Sequence, residues 1–229
     1  MMTVQTTRPP EIDQYTIKFL IGIIALGLPF LELALSGGEI TSISESYWYR
    51  GPWSRTALVG LLFAIAALLT SYNGTSRSQG VLGRVAAVAA IFISLFPCSC
   101  SEGHDEIVKG VHSASAGVMF AVLAWFCWDF IQRAKEKLND ARKTAAQRRI
   151  GIYVACGVGM LIAIALFVLH AVTKQERLIL WGETVGLVSF GISWMTASRK
   201  LPGITHPSER ETFFGPSAAP PGWPGRLAK

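Results

Sequence analysis

Two residues in this sequence stand out because their side chains can do acid–base chemistry from within apolar surroundings. His112 opens one long apolar run, and Glu183 lies inside another, between Gly182 and Thr184. A charged side chain at the centre of a membrane helix costs about 2.5 to 3.5 kcal/mol on insertion scales, so an ionisable residue there marks a site or a buried partner by default. We predict a catalytic role for both, in which His112, assisted by Glu183, activates water or a serine. The alternative is that each makes a structural hydrogen bond or ion pair between helices.

The same part of the chain offers ligands for a metal ion. The nitrogen and oxygen atoms of four side chains would suffice for a zinc-like site with one open position, at which a bound water is acidified and aimed at an ester or amide carbonyl. The candidate ligands are His104, Asp105, His112 and Glu183. No two histidines have the spacing that places them on adjacent turns of one helix. Zinc is therefore a possible cofactor but not a favoured one.

A pair of cysteines, Cys98 and Cys100, lies between the third and fourth apolar runs. Cysteines on the outer face of a bacterial envelope lie in a compartment that permits disulfides. A bond between these two would close a very tight ring. Strain therefore disfavours a simple structural bridge. Separate thiols and disulfides to a partner chain are the alternatives, and the sequence leaves the pairing of Cys98 and Cys100 open.

Six long apolar runs must position these side chains. With 51% hydrophobic residues, 16% charged residues and a mean hydropathy of +0.39, the chain does not have the composition of an ordinary soluble domain. Runs of about 20 residues match a hydrocarbon thickness of ~30 Å. Within lipid, each run must satisfy its own backbone hydrogen bonds as an α-helix. The sequence predicts an all-α fold, a polytopic membrane bundle of six transmembrane helices over residues 17–35, 56–72, 81–96, 111–131, 151–170 and 178–198.

The distribution of basic residues orients the predicted bundle. The connection at 132–149 carries seven lysines and arginines against two acids, which places it in the cytoplasm by the positive-inside rule. Both termini then lie in the cytoplasm, and the chain is expected in the plasma (inner) membrane. It divides into an N-terminal leader (1–16), the transmembrane domain (17–198) and a flexible tail rich in proline and glycine (199–229). Anionic lipids account for the net charge of +6, so no nucleic acid partner is expected.

Two further expectations concern the predicted membrane boundaries. Arg84 and Asp129 lie at about the same depth in the third and fourth spans, and a desolvated charge needs a partner, so we predict a structural ion pair between them. Tryptophans near the span ends predict aromatic belts, with Trp48, Trp53 and Trp181 at the outer boundary and Trp125, Trp128 and Trp194 towards the inner one. The alternative for any one of them is packing of a large side chain between helices.

Several short motifs occur in a fixed order along the chain. They are Ile-Thr-Ser-Ile-Ser-Glu-Ser-Tyr-Trp-Tyr-Arg at 40–50, Phe96-Pro97, the histidine that opens span four, Trp181-Gly-Glu183 and Phe190-Gly-Ile-Ser-Trp194. This order resembles an uncharacterised bacterial six-span membrane protein family. More loosely it is similar to DRAM-like and GPI-lipid-remodelling membrane proteins, which also place a Ser-Ile-Ser element before span two and a histidine at the start of span four. The resemblance covers roughly 17–198 and implies a common fold, with functional positions carried over to Ser42, Ser44, Tyr47, Arg50, His112 and Glu183.

A remoter similarity is to seven-span metal-dependent lipid hydrolases of the CREST type. Those proteins use histidines, an aspartate and a serine around zinc. This chain has six predicted spans and lacks their paired histidines on a last helix. These two differences weaken the case for both the zinc ion and the hydrolytic activity that the similarity would imply.

These observations lead to two function classes. The first is a lipid-interacting protein whose outward polar pocket recognises a headgroup or modifies it, with Ser42, Ser44 and Tyr47 as ligand-binding residues and Arg50 holding a phosphate. The second is a non-catalytic subunit or assembly factor of a larger membrane complex, which predicts a membrane-protein partner. Transport is less favoured, because the sequence has little of the inverted symmetry that is typical of secondary transporters.

Overall fold

The computed structural model describes residues 13–100, 103, 106–138 and 142–210. Six long α-helices dominate this part of the chain, and it contains no β-strand. The helices are α1 (Gln14–Leu35), α2 (Ser54–Ser71), α3 (Arg77–Leu95), α4 (Val111–Lys135), α5 (Lys143–Thr173) and α6 (Arg177–Ala197). Two short 3-10 turns, Ser44–Tyr47 and Pro207–Glu209, lie in the segments between α1 and α2 and after α6. The predicted all-α fold of six helices is confirmed.

All six helices are long and apolar enough to cross a membrane. Their outward faces carry large apolar side chains that stay exposed, among them Leu161, Val168 and Val172 on α5, which are 65%, 60% and 78% exposed. An apolar surface of this extent has no favourable contact with water but matches the hydrocarbon interior of a bilayer. The chain is therefore a multi-pass membrane protein.

Polar residues set the ends of several helices. The Asp13 carboxylate caps α1 by accepting hydrogen bonds from the backbone N–H groups of Tyr15 and Thr16, and α5 ends at Lys174 in the left-handed conformation (φ 58°). Helix α5 begins at Lys143, two turns before the predicted span at 151. Hydropathy detects only the part of a helix that crosses lipid, whereas the backbone hydrogen bonds continue through the basic residues at its start.

The helices form a closed ring in chain order, because each packs against its neighbours and α6 packs against α1. Glycines permit the close approach of α1 and α6. A Cβ atom at Gly191 would lie 2.7 Å from the backbone nitrogen of Leu26 and 2.8 Å from the carbonyl oxygen of Gly22. Helices in lipid associate largely through van der Waals packing, and small residues allow the backbones to touch.

Aromatic side chains fill the interior of the ring. The Trp194 ring lies 5.1 Å from the ring centroids of both Tyr72 and Phe126, 5.3 Å from Phe190 and 6.1 Å from Phe130. Trp194 is completely buried, so for this residue the alternative of packing between helices is correct and a place in an aromatic belt is wrong. Its side chain points into the bundle because α6 presents that face to its neighbours, which hydropathy alone does not reveal.

The starts of α1 and α5 and the ends of α4 and α6 lie at one end of the bundle, called here the basic end. Lys200, just after α6, lies 3.8 Å from the carboxylate of Asp13, and the Arg199 guanidinium lies 4.8 Å from the centre of the Tyr15 ring. The buried Lys18 side chain lies over the Tyr72 ring at 5.4 Å. Cation–π contacts of this kind stabilise a buried cation.

The predicted ion pair between Arg84 and Asp129 is not formed. Asp129 instead accepts hydrogen bonds from Gln79 Nε2 (2.5 Å) and from Arg133 Nε (2.7 Å), one turn along its own helix. Arg84 is exposed on the outer face of α3 and lines a groove with Val81 and other apolar residues. The rotation of α3 about its axis points Gln79 towards α4 and Arg84 away from it.

The segment after α6 returns to the connection between α4 and α5. The Glu209 carboxylate accepts hydrogen bonds from Lys137, from Arg142 Nη1 (2.9 Å) and from Arg149 Nη1 (3.4 Å). Arg148 Nη1 donates to the carbonyl oxygen of Gly203 (2.7 Å). Residues 201–210, which belong to the predicted tail, are thus held against the basic end.

Docking of this segment is expected to depend on pH. Burial by itself would raise the pKa of the Glu209 carboxyl, but the hydrogen bond from Lys137 and the charges of Arg199 and Arg149 outweigh it and lower the pKa below its ordinary value. A carboxylate with a lowered folded-state pKa stabilises its contacts above the unfolded-state value, and this contribution is lost as the pH falls through the folded-state value. The segment should therefore stay docked at neutral pH and detach in acid, below the ordinary pKa of a glutamic acid.

A spin label at the exposed position Ser208, introduced as Ser208→Cys, would report this detachment as an increase in label mobility. Cys127 and Cys156 are buried and should not react with the label. The matched control is the same labelled protein with Glu209→Gln, in which mobility should be high already at neutral pH and should not titrate. A labelled wild type whose mobility stays constant from pH 7 to pH 3 would contradict the expected dependence.

Candidate functional site

The connection between α1 and α2 folds back over the end of the bundle opposite the basic end, called here the loop end. Ile40 and Ile43 are 4% and 3% exposed and pack among leucines of α1 and α2. The backbone N–H and the hydroxyl of Thr41 both donate to the Glu45 carboxylate, at 2.6 and 2.9 Å. Trp48 Nε1 donates to the carbonyl oxygen of Cys98 (2.7 Å), which joins this connection to the one after α3. The connection is thus a fixed element of the bundle.

Glu183 is the residue that attaches this connection to α6. Its Oε2 atom accepts hydrogen bonds from the Ser42 hydroxyl (3.0 Å) and from the backbone N–H of Ile43 (2.5 Å), and its Oε1 atom accepts one from the Ser44 hydroxyl (2.6 Å). Three donors from consecutive residues therefore converge on one carboxylate. A carboxylate inside the bundle needs such partners to compensate for its lost hydration.

His112 joins the same group of residues. Its Nδ1 atom lies 2.9 Å from the carbonyl oxygen of Phe96, and its Nε2 atom lies 3.2 Å from the Ser44 hydroxyl. Because a carbonyl oxygen only accepts, Nδ1 must carry a proton, which leaves Nε2 facing Ser44. The imidazole is 7% exposed and is held from both sides. Ser44 is thus the bridge between the acid and the imidazole.

The bridge has a definite proton requirement. Ser44 has one hydroxyl hydrogen, yet its oxygen takes part in two hydrogen bonds, one to Glu183 and one to His112. The second hydrogen must come either from a protonated Nε2 or from a protonated carboxyl group. When both bonds are formed, the acid and the imidazole share one proton between them and have no net charge. Such a group can deliver or accept a proton without large movement.

A cavity of about 360 Å³ opens beside this network, between the connection and helices α4, α5 and α6. Hydroxyl, imidazole and carboxylate groups form one wall, and apolar side chains of α4 and α5 form the other. The polar wall consists of Ser42, Ser44, His112, Ser113, His170 and Glu183, and the apolar wall includes Ala116, Gly117, Phe120, Phe167 and Ala171. A second cavity of about 510 Å³ adjoins it and shares Ser42, Ser113 and His170 with it.

Two glycines of α6 shape the apolar wall. A Cβ atom at Gly182 would lie 2.5 Å from Cε1 of Phe167, and one at Gly186 would collide with the ring of Phe120. The two phenylalanine rings themselves pack edge to face, with centroids 5.0 Å apart. The glycines on either side of Glu183 therefore admit these rings, which places an apolar surface next to the carboxylate.

Two of the predicted ligand-binding residues do not reach the cavity. The Tyr47 hydroxyl accepts a hydrogen bond from Arg55 Nη2 (2.7 Å), and the Arg55 guanidinium lies 4.2 Å from the centre of the Tyr47 ring. Arg50 is exposed at the far end of the connection. Lys174 is the one lysine or arginine among the described residues that line the two cavities. The predicted role of Arg50 as a phosphate ligand therefore has no support from its position.

The predicted metal site is only partly within the described residues. His104 and Asp105 lie outside them. For His112 and Glu183, both ring nitrogens and both carboxylate oxygens are already engaged by protein groups. Over residues 13–100, 103, 106–138 and 142–210, no group of three or more histidine, cysteine, aspartate or glutamate side chains could hold a metal ion. This part of the chain therefore offers no complete ligand set for zinc.

The rim of the cavity contains Cys98 and Cys100, which form a disulfide in the structure with a Cα–Cα distance of 5.2 Å. The structure thus pairs the two cysteines with each other, which is the arrangement that ring strain disfavoured. The backbone between Phe96 and Cys100 turns away from α3 at Pro97, which lacks the N–H needed to continue a helix. The turn brings the two cysteines to the same side of the segment.

The sequence prediction assigns no role to three groups that the structure places at this site. The Phe96 carbonyl oxygen orients His112, and Ser113 and His170 line both cavities. Ser113 and His170 had one usable signal, since each lies at a helix end on the same side of the membrane as His112. The Phe96 carbonyl oxygen had no such signal in the sequence. Every residue has a carbonyl oxygen, and only the fold shows which of them accept no hydrogen bond within a helix. Comparisons with protein-family models, curated proteins and solved structures found no match to this chain, so the resemblance to six-span families stays a prediction.

Proposed function

We propose that the cavity at the loop end binds an amphipathic molecule, a membrane lipid, with its polar headgroup at Ser44, His112 and Glu183. The observation that carries the proposal is the convergence of three separate parts of the chain on one cavity. The connection between α1 and α2 supplies the serine, α4 supplies the imidazole and α6 supplies the carboxylate. A purely structural hydrogen bond between two helices would need no cavity beside it.

The two walls of the cavity favour an amphipathic ligand over a fully polar one. Hydroxyl and imidazole groups suit the hydroxyl, amine or phosphate groups of a headgroup. Phe120 and Phe167 suit a hydrocarbon chain, since burying apolar surface contributes about 25 cal/mol per Å². Ligand pockets typically combine a largely apolar lining with a few polar groups that fix orientation. Lipids are also the molecules that a membrane-embedded cavity meets at the highest concentration.

The backbone N–H groups near Ser44 already have acceptors, which favours recognition of a lipid over acyl transfer. Stabilising the oxyanion of a tetrahedral intermediate requires N–H groups that are free to donate to it. The Ile43 N–H donates to Glu183, and the Ser44 N–H donates to the Ser42 hydroxyl at 3.1 Å. Neither is available to an oxyanion in this arrangement.

A second candidate is catalysis at the same site, which one observation supports. The Ser44 hydroxyl lies 3.2 Å from His112 Nε2, close to the distance between a serine nucleophile and its general base. In this version the Phe96 carbonyl orients the imidazole, as the third group of a triad does. Replacing Ser44 with alanine separates the two candidates, because it would stop turnover of a bound lipid while much of the binding survives.

The test of lipid binding is purification in mild detergent followed by mass spectrometry of the co-purified lipids. The wild type should retain a defined lipid class. The His112→Ala variant should lose it, because the change removes part of the polar wall and leaves the Ser44 hydroxyl and the Phe96 carbonyl without their partner, at a cost of about 1 to 3 kcal/mol. This corresponds to binding weaker by about five- to 150-fold. A matched control is Ser193→Ala, which removes a buried hydroxyl that does not line the cavity and that donates to the Phe190 carbonyl (2.8 Å).

Equal lipid content in wild type, His112→Ala and Ser193→Ala proteins would contradict the proposal. A stoichiometric protein partner that co-purifies in place of a lipid would favour the alternative of a subunit or assembly factor. Conversion of the bound lipid by the wild type but not by Ser44→Ala would establish the catalytic version.

A further inference from the structure

Arg84 is a cation on the lipid-facing side of α3 that neither the core nor the cavity at the loop end uses. Helix α3 has 19 residues, so it is about 28 Å long, and Arg84 lies about 10 Å along the axis from its start. The side chain is exposed at this depth, where the surroundings in a membrane are largely hydrocarbon. Because a charge there is costly, an arginine in such a position by default marks a site or has a partner.

Arg84 makes no hydrogen bond and no ion pair with the described residues. Its guanidinium is directed back along the helix, since Nη2 lies 3.9 Å from the position that a Cβ atom on Gly80, one turn earlier, would occupy. The start of α3 belongs to the basic end, because the backbone N–H of Asn73 donates to Gln14 at the start of α1 (3.0 Å). The charge of Arg84 is therefore directed from within the span towards the membrane surface at the basic end.

Arg77 places a second cation on the same face of α3. Seven residues make nearly two full turns of an α-helix, so Arg77 lies on the basic-end side of Arg84 and almost in line with it. Arg77 is exposed and likewise makes no hydrogen bond or ion pair with the part of the chain that the structure describes. It lines a groove of about 420 Å³ with Trp125 of α4. Val81 lies between the two arginines and lines both this groove and the one beside Arg84, so the two grooves adjoin.

The neighbouring helix does not supply the anion that these two arginines need. No acidic residue is among the described residues that line the two grooves. Asp129 is the one acid of α4, and its carboxylate accepts hydrogen bonds from Gln79 and Arg133 instead. Two cations on a lipid-facing surface without a counter-charge favour an anion that arrives from the membrane itself.

The groove beside Arg84 has a lining that suits a hydrocarbon chain. It has a volume of about 490 Å³ and lies between α3 and α4. Apart from Arg84 and Ser115 its lining is apolar and includes Val88 of α3. The groove follows α3 from Val81 to Phe92, about 6 to 22 Å from the helix start, and one leaflet contributes ~15 Å of hydrocarbon. A chain that begins beside the arginines therefore finds apolar surface down to the middle of the bilayer.

We propose that this surface of α3 and α4 binds one anionic phospholipid of the leaflet around the basic end, with the phosphate at Arg84 and Arg77 and an acyl chain in the groove. The fixed fork of N–H donors in arginine matches phosphate oxygens, and basic pockets between transmembrane helices are sites for anionic headgroups. A second copy of the chain is the competing occupant, but an apolar helix face would leave both arginines without an anion. The site shares no lining residue with the cavity at the loop end.

The experiment uses the full chain in a mild detergent and native mass spectrometry, which counts bound lipids and copies of the chain in one spectrum. Binding of phosphatidylglycerol is compared with binding of phosphatidylcholine that has the same acyl chains, so that only the headgroup differs. The wild type should bind one phosphatidylglycerol at least about tenfold more tightly than phosphatidylcholine, because the anionic lipid brings a net negative charge to two arginines. Equal affinity for the two lipids would overturn the proposal.

The Arg84→Gln variant should lose this preference, because its phosphatidylglycerol binding should weaken about tenfold. It should fold like the wild type, since the exposed Arg84 side chain has no hydrogen bond or ion pair with the described residues to lose. The matched control is Lys135→Gln, which removes an exposed positive charge at the end of α4 that lines neither groove. An equal loss in the two variants would mean that only the general positive charge of the basic end attracts the lipid, and it would overturn a specific site.

The Val88→Trp variant tests the groove while both arginines stay in place. Val88 is 52% exposed, so a larger side chain there fills the groove without entering the core, and phosphatidylglycerol binding should weaken severalfold. The matched control is Val158→Trp on α5, where the valine is 50% exposed and lines neither groove. Equal affinities of the two variants for phosphatidylglycerol would contradict the placement of an acyl chain in the groove.

Two further outcomes would identify a different occupant or a different site. A wild-type dimer that dissociates in Arg84→Gln would identify a second copy of the chain as the occupant and overturn binding of a lipid there. Loss of phosphatidylglycerol in His112→Ala but not in Arg84→Gln would place the lipid in the cavity at the loop end and overturn the site at Arg84. Loss in Arg84→Gln alone would support the site on α3 even if the cavity at the loop end binds no lipid.

Discussion

Replacement of Glu183 by alanine is expected to release the connection between α1 and α2 and to abolish lipid binding. The change removes the acceptor for the Ser42 hydroxyl, the Ile43 N–H and the Ser44 hydroxyl. Each buried donor left without an acceptor costs about 1 to 3 kcal/mol. The two hydroxyls can rotate towards other acceptors but the backbone N–H cannot, so we expect a total loss of about 2 to 4 kcal/mol.

Thermal unfolding in detergent measures the loss of stability, and hydrogen exchange at the Ile43 amide measures the local release. Glu183→Gln should have an intermediate effect, because one acceptor oxygen is kept while an NH₂ group meets donors. Glu136→Ala is the matched control, since Glu136 is an exposed glutamate at the end of α4. Unchanged Ile43 exchange in Glu183→Ala would show that the connection is held by its apolar contacts alone.

The second large effect is expected where α1 and α6 touch. In Gly191→Ala the new methyl group would meet the Leu26 nitrogen at 2.7 Å and the Gly22 carbonyl oxygen at 2.8 Å. Both are backbone atoms, so no side chain can rotate away and the two helices must separate. Overpacking of this kind costs about 1 to 3 kcal/mol, and Gly191→Leu, with a far larger side chain, should exceed this and prevent the ring from closing.

The readouts are the yield of monodisperse protein and the unfolding temperature in detergent. Gly27→Ala is the matched control on α1, because a Cβ atom there has no neighbour within 4 Å. It should be neutral or slightly stabilising, since alanine favours helix by about 1 kcal/mol over glycine. If Gly191→Ala and Gly27→Ala unfold at the same temperature, the contact between α1 and α6 is looser than the structure indicates.

Part of the candidate site was accessible from residue types and order. His112 and Glu183 stand out because ionisable groups are costly in apolar helices. Ser42 and Ser44 are positions that the resemblance to six-span families implies, and counting spans places all four residues at one end. The structure brings these four to one cavity. Their chemical role stays a prediction, since neither a shared cavity nor a hydrogen-bond network specifies a reaction.

Two expectations failed because they depended on rotation about a helix axis or on the path of a connection. Arg84 and Asp129 lie on faces that do not meet, and Asp129 bonds Gln79 and Arg133 instead. Tyr47 follows Ser44 by three residues, yet the 3-10 turn directs its hydroxyl to Arg55 rather than to the cavity.

The sequence by itself determined the number of helices, their apolar character and their need for a membrane. Those properties depend on backbone hydrogen bonding in lipid and on local composition, which a single segment contains. Only the tertiary structure decided which polar groups meet, because hydrogen bonds such as those of Glu183 to Ser42 and of Glu209 to Arg142 join residues far apart in the chain. Their distances depend on helix rotation and on how connections fold back, and both are set by packing across the whole bundle.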